Sequence, residues 1–185
     1  MTRNVKGHLF ADYVRMIRSH KEVDWARHLT AEDLRSVAAR IAPDHWYPMA
    51  TFERLGNAIL RQIAHDDLES VRMWGRGSVD MLRVSFPALV AVGDRVDTLR
   101  RFQVLRGTFF DFTAIEIPML IEGQAHVIIH YYMGDVAEEA ASYQTMGFFE
   151  RLVEVAGATA VEARFLQRSW ARDPRTLLEL HWRPS

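Results

Sequence analysis

Apolar residues recur every three or four positions through the first two thirds of the chain, the spacing of amphipathic helices. Leu9, Phe10, Tyr13, Val14 and Ile17 give one stripe over VKGHLFADYVRMIRS. Thr30 and Asp33 predict a capped start for a second helix carrying Leu34, Val37, Ala38 and Ile41, with Pro43 as its stop. A third helix is expected from about Thr51 to Ala64, on Phe52, Leu55, Ile59 and Ile63. DHWYPM before it reads as an ordered loop. A fourth runs from about Leu68 to Val84, where Gly75 and Gly77 mark a bend or a close approach. A fifth starts at Asp94 and carries Val96, Leu99 and Leu105.

After Gly107 the period changes to two. FFDFTAIEI and QAHVIIHYY read as a hairpin turning near Leu120 and Ile121. In that register Phe110, Phe112 and Ala114 share a face with Val127, Ile129 and Tyr131, while Asp111, Thr113, His126 and His130 point the other way. A long helix follows, with Met146, Phe149, Leu152, Val153 and Ala156 on its apolar side and Gly157 at its C-terminal end. AVEARFLQRSW and TLLELHW form a second hairpin in which Leu178, Leu180 and Trp182 alternate against Glu179 and His181. The expected fold is α+β: a helical N-terminal portion, then a mostly antiparallel four-stranded sheet with the long helix between its two hairpins. Residues 1–185 are expected to form a single domain, 1–106 mainly helical and 107–185 strand–helix–strand.

Composition narrows the chemistry. The 23 basic and 24 acidic residues cancel, which argues against nucleic acid as the principal partner. With no cysteine there is no disulfide, thiolate nucleophile or thiolate metal site. No apolar run approaches the roughly 20 residues that span a bilayer. The expectation is a cytoplasmic protein without stable membrane insertion.

No catalytic residues are assigned. Serines lack a nucleophile-elbow context, and no pair of carboxylates is compelled to share a pocket. Glu150 and Glu154 read as a solvated helix surface beside Arg151. Of the eight histidines, His8, His20, His28, His45 and His65 show no metal-binding spacing. His126 and His130 share a strand face but lie roughly 13 Å apart at ideal rise, too far to chelate one zinc. His45, Trp46 and Tyr47 in DHWYP, with Phe112 and Phe149 from the aromatic inventory, are the candidates for contact with a small apolar ligand. His45 and Tyr47 also define the alternative, an enzyme with a small polar site. His126, Ile128, His130 and His181 would form an interaction face with an apolar centre and a polar rim, suited to a homodimer or a signalling partner.

Four segments carry a family resemblance: Val5-Lys6-Gly7-x-x-Phe10, Trp46-Tyr47-Pro48, Gly147-Phe148-Phe149-Glu150-Arg151-Leu152 with Val155-x-Gly157, and Leu180-His181-Trp182. Together they resemble an uncharacterised family of about two hundred residues abundant in myxobacteria, along nearly the whole chain. That family is distantly similar to haem-based nitric-oxide sensors at its start and to vinyl-reductase-type small-molecule-binding domains at its end. The resemblance implies a helical N-terminal portion, an α+β C-terminal portion and a ligand pocket between them. It also implies departures. Haem sensors of that type carry a proximal histidine and a Tyr-x-Ser-x-Arg signature, whereas TLRRFQVLRG has no histidine and YYMGDVAEE lacks the signature. Ser169 and Leu177 stand where the second class often places cysteines. The expectation is a non-enzymatic sensory or protein-interaction module with no cofactor and without the family's haem ligation, for which a small apolar ligand is a candidate.

Overall fold

Residues 2–183 are described by a computed structural model, and they cluster into two compact units. The first comprises the chain up to Asp67 together with Gly107–Phe112, and the second comprises Leu68–Arg106 and the chain from Thr113 onward.

The first unit opens with strand β1 (Asn4–Lys6) and helix α1 (Gly7–Ser19), whose stripe buries Phe10, Val14 and Ile17 as expected. Helix α2 (Ala31–Ala38) starts at Thr30, and the capping box is complete although its third position is Asp33 rather than a longer acid. Asp33 is fully buried because Arg54 of helix α3 (Met49–Gln62) also grips it, at 2.7 Å. Burial works to raise this carboxyl, but the bonds from Arg54 and Thr30 outweigh it and hold it below the usual range. DHWYPM departs from its expected loop: Trp46–Pro48 is a strand, β2, antiparallel to β1 with Val5 opposite Tyr47. Phe110 bridges to Val5 from the other end of the unit, and the Lys6 N–H bonds the Phe109 carbonyl at 2.8 Å.

The second unit holds helices α4 (Leu68–Ser85), α5 (Arg95–Leu105) and α6 (Asp135–Val155) and four strands. The strands are β3 (Ile115–Ile121), β4 (Gln124–Ile129), β5 (Thr159–Gln167) and β6 (Thr176–Arg183), antiparallel in the order β3-β4-β6-β5. The α+β architecture with its long helix between two hairpins is therefore as expected. The first hairpin needs correction. It turns at Glu122–Gly123, and Phe110 and Phe112 lie before the strand, in the first unit. Ile115 pairs with Ile129, so Ile115 and Ile117 form the inner face of β3, one residue out of phase with the expected Phe112 and Ala114. Pro118 sits inside a bulge between Glu116 and Met119, which breaks the simple alternation.

Helix α6 buries Met146, Phe149, Leu152 and Val153 as predicted, and its Tyr143 meets Phe165 edge-on at 5.3 Å over the inner sheet face. That face carries Ala125, Val127, Ile129, Leu178 and Leu180. Helix α4 crosses α6 at backbone contact. A Cβ on Gly75 would stand 1.8 Å from the Gln144 carbonyl oxygen, and one on Gly147 would stand 1.9 Å from that of Arg72. Close approach, not a bend, is thus the role of Gly75. It brings arginines onto α6: Arg72 grips Glu150 at 2.6 Å, and Arg76 reaches Glu150 at 3.4 Å and Glu154 at 2.6 Å. Glu150 is 2% exposed, which overturns its reading as a solvated helix residue.

Candidate functional site

Helix α6 occupies one face of the sheet, and the opposite face carries the polar residues of β4, β5 and β6. Register fixes which ones meet. His126 lies directly opposite Glu179, Gln124 opposite His181, and Ile128 opposite Leu177. From the other side β5 places Arg164 opposite Glu179 and Glu162 opposite His181. Directly opposed residues share a face, so Glu179 has donors on both flanks.

All of them bond to it. Arg164 donates from Nε at 2.8 Å and from its terminal nitrogen at 2.7 Å, and Gln124 donates from Nε2 at 2.9 Å. The Nε2 atoms of His126 and His181 each lie 3.2 Å from the carboxylate, on different oxygens. Glu179 is 6% exposed although the face is open, because its neighbours enclose it. Desolvation pushes its carboxyl up, yet the bonds from Arg164, His126, Gln124 and His181 win and hold it down at about 2. Chemically this is a fixed, ionised acceptor with a half-buried apolar residue, Ile128, beside it.

His126, Ile128 and His181, expected on one interaction face, are thus brought together. His130 lies one residue beyond β4, with its ring stacked on Tyr132 at 5.5 Å and its N–H on the Ala114 carbonyl. Sequence reasoning missed Glu179, Arg164 and Gln124. The alternation in TLLELHW put Glu179 with His181, but the adjacency of β4 and β6 was needed to put His126 against it.

The expected ligand contacts divide between the units. His45 and Trp46 are exposed, and the Lys6 ammonium lies 4.2 Å from the centre of the Trp46 ring. Tyr47 stacks on Phe10 at 4.5 Å, and its hydroxyl accepts the Ala42 N–H. Phe112 meets Phe110 edge-on at 5.5 Å and lies under the Arg3 guanidinium. Phe149 belongs to the second unit, fully buried and perpendicular to Phe102 at 5.0 Å.

A known architecture aligns with nearly the whole length of the chain. The H-NOX protein of K. algicida in its Fe(II) unliganded state aligns at a TM-score of 0.67 and 10% identity, over 97% of each chain. A point mutant of T. tengcongensis H-NOX aligns at 0.62 and 12% identity, over 96% of this chain and 97% of its own. The fold is that of the H-NOX proteins. A further H-NOX structure, from a study of heme distortion, aligns at 0.65 and 13% identity over 97% and 96% of the two chains. No protein-family model and no curated protein matches the chain.

The H-NOX fold raises the question of haem, and the side chains answer it. The buried positions of α5 are Arg95, Thr98, Leu99 and Phe102, so no imidazole projects there, and the Phe102 ring is packed on Phe148 and Phe149. From Tyr131 the Tyr-x-Ser-x-Arg spacing reads Tyr131, Met133 and Asp135, keeping the tyrosine alone. Its hydroxyl is engaged by Thr145 at 2.6 Å, and an exposed carboxylate, Asp135, stands at the position of the signature's arginine. These residues do not fit a haem held in the family's manner. Among the described residues, no three His, Asp or Glu side chains form a metal-binding group. No described helix is long and apolar enough to cross a membrane.

Proposed function

We propose that the chain is a non-enzymatic sensory or protein-interaction module, built on the H-NOX fold without that family's haem ligation, whose recognition surface is the open sheet face around Glu179. The observation that carries this reading is the enclosure of one ionised carboxylate by Arg164, Gln124, His126 and His181 beside Ile128. Five bonds hold the side chains before any partner arrives, which lowers the entropy cost of binding. Ile128 supplies the apolar centre, and the histidines supply a polar rim. A partner protein with an apolar side chain and flanking polar groups fits this surface. The balanced charge speaks against nucleic acid, and a cytoplasmic setting accords with the lack of a described helix long and apolar enough to cross a membrane. A small apolar ligand is the sensory form of the same reading, with Tyr47 and Phe112 as candidate contacts within the first unit and Phe149, separately, within the second.

Native mass spectrometry of freshly purified protein separates these forms. The expected spectrum lacks a haem adduct. A retained small organic mass would establish the sensory form, and a retained haem would overturn the proposal.

A further inference from the structure

The sheet has two edges, β3 and β5, and they are built differently. An exposed edge offers unpaired N–H and C=O groups to any passing strand, and folded proteins blunt such edges with proline, bulges or charge. Edge β3 is blunted in its middle, where Pro118 falls inside the bulge between Glu116 and Met119. Edge β5 is nine residues long, contains no proline, and has its irregularities at its ends, leaving Glu162–Phe165 regular. An open groove of about 600 Å³ runs along it, lined by Val161–Arg164 with Arg72, Glu150 and His181.

We propose that β5 is a self-recognition edge: a second copy of this chain lays its own β5 antiparallel to it, about a two-fold axis through Ala163. The sequence TAVEARFLQ is complementary to itself in that one arrangement. With Ala163 opposite its counterpart, Glu162 faces Arg164 of the second copy and Arg164 faces its Glu162, giving two opposite-charge pairs. Phe165 then faces Val161 at the margin of the regular stretch, again twice over. Slipping the register by two residues one way opposes Glu162 to Glu162, and the other way opposes Arg164 to Arg164. Like charges directly opposite are unfavourable, so charge selects one register.

The side chains are prepared for this. Glu162 is exposed and has no partner among the described residues. Arg164 spends Nε and one terminal nitrogen on Glu179, and its side chain is still 71% exposed, which leaves the other terminal nitrogen for a second carboxylate. A two-fold axis normal to the sheet keeps both open faces on one side of an eight-stranded sheet. The second copy therefore occupies the edge and leaves the Glu179 face to a different partner, so this inference stands apart from the functional reading above.

Sedimentation equilibrium of the full chain over a dilution series tests it, with circular dichroism as the check on folding. The wild type should show a concentration-dependent dimer. Glu162→Arg, at an exposed position, should weaken it by about tenfold, since two attractive pairs become repulsive. Arg164→Glu should weaken it as well, and an equimolar mixture of the two variants should recover it, because every cross-pair becomes Arg–Glu again. If Arg164→Glu fails to fold, hydrogen exchange of the wild type gives the second readout: those amides of residues 161–165 that point away from β6 should slow as concentration rises. A wild type that stays monomeric at its highest soluble concentration would overturn the proposal. So would a Glu162→Arg dimer of unchanged affinity, or exchange in β5 that ignores concentration. Loss of the dimer on Ile128→Lys with retention on Glu162→Arg would move the second copy to the open face, ending this inference while sparing the interaction reading.

Discussion

Glu150 and Glu179 are buried to nearly the same degree, at 2% and 6% exposed, and each is gripped by arginine. Their surroundings differ. Glu150 lies in the seam of two helices held at backbone contact by Gly75 and Gly147, and its partners Arg72 and Arg76 close that seam. Glu179 lies on an open sheet face, enclosed by the polar side chains bonded to it. The same functional group thus locks two helices in one place and, in the other, gathers the polar side chains of three strands. What separates them is the backbone: a helix crossing without Cβ atoms brings two main chains together around Glu150, whereas a strand face leaves the enclosure of Glu179 to side chains.

The largest test of this contrast is Gly75→Leu. Its side chain cannot coexist with the Gln144 carbonyl 1.8 Å from the Cβ position, so the helices must part, at a cost above about 4 kcal/mol. A chemical denaturation midpoint near that of wild type would refute the close crossing. Glu150→Ala comes next, at about 3 kcal/mol, because it strips the half-buried Arg72 and Arg76 of the buried carboxylate that both of them bond.

Glu179→Gln should cost less at neutral pH, about 2 kcal/mol, because the open face lets water screen the stranded Arg164 and the histidines. Its pH signature is more telling. The folded carboxyl is held at about 2, below its unfolded value, so its stabilisation is complete above the ordinary carboxylate range and is lost as pH falls from about 5 through about 2. Unfolding free energies measured across that window should fall steeply in wild type and more gently in Glu179→Gln. Equal slopes would mean that the donors do not hold the carboxylate as described. The smallest effect is expected for Ile128→Lys, within about 0.5 kcal/mol in stability, since the residue is only half-buried and a lysine stem can lie along the sheet with its ammonium in water. Its circular-dichroism melt should match wild type, and a large drop in melting temperature would show that the face is packed rather than open.

Much of this architecture was legible in the sequence. Three- and four-residue spacing located α1 through α6, and two-residue alternation placed Val127, Ile129, Leu178 and Leu180 inward. Local patterning failed where a distant segment decides the outcome. Phe110 looked like the start of a strand in the large sheet, but Val5 claims it. Pro118 looked like a connector, but it sits within β3 and shifts the phase of the strand. The candidate site was half legible: alternation grouped Glu179 with His181, and the pairing of β4 with β6 then supplied His126 and Gln124. Glu150 defeated sequence reasoning because the feature that buries it is two glycines 72 residues apart, and a glycine in a helix advertises weakness before it advertises contact.

The chain leaves its first unit at Asp67 and returns to it at Gly107–Phe112. The return is structural: Phe109 accepts the Lys6 N–H, Phe110 bridges Val5, and the Asp111 side chain takes two bonds from Asn4 at 2.7 Å. As the polypeptide leaves the ribosome, the amino-terminal strand must therefore wait for some forty intervening residues, which belong to the other unit, before its last partners arrive. A gene truncated after Asp67 would encode every helix of the first unit and still leave β1 short of the partners that close it. Division of this protein for separate expression has to follow the threading of the chain, because no single cut yields the amino-terminal unit whole.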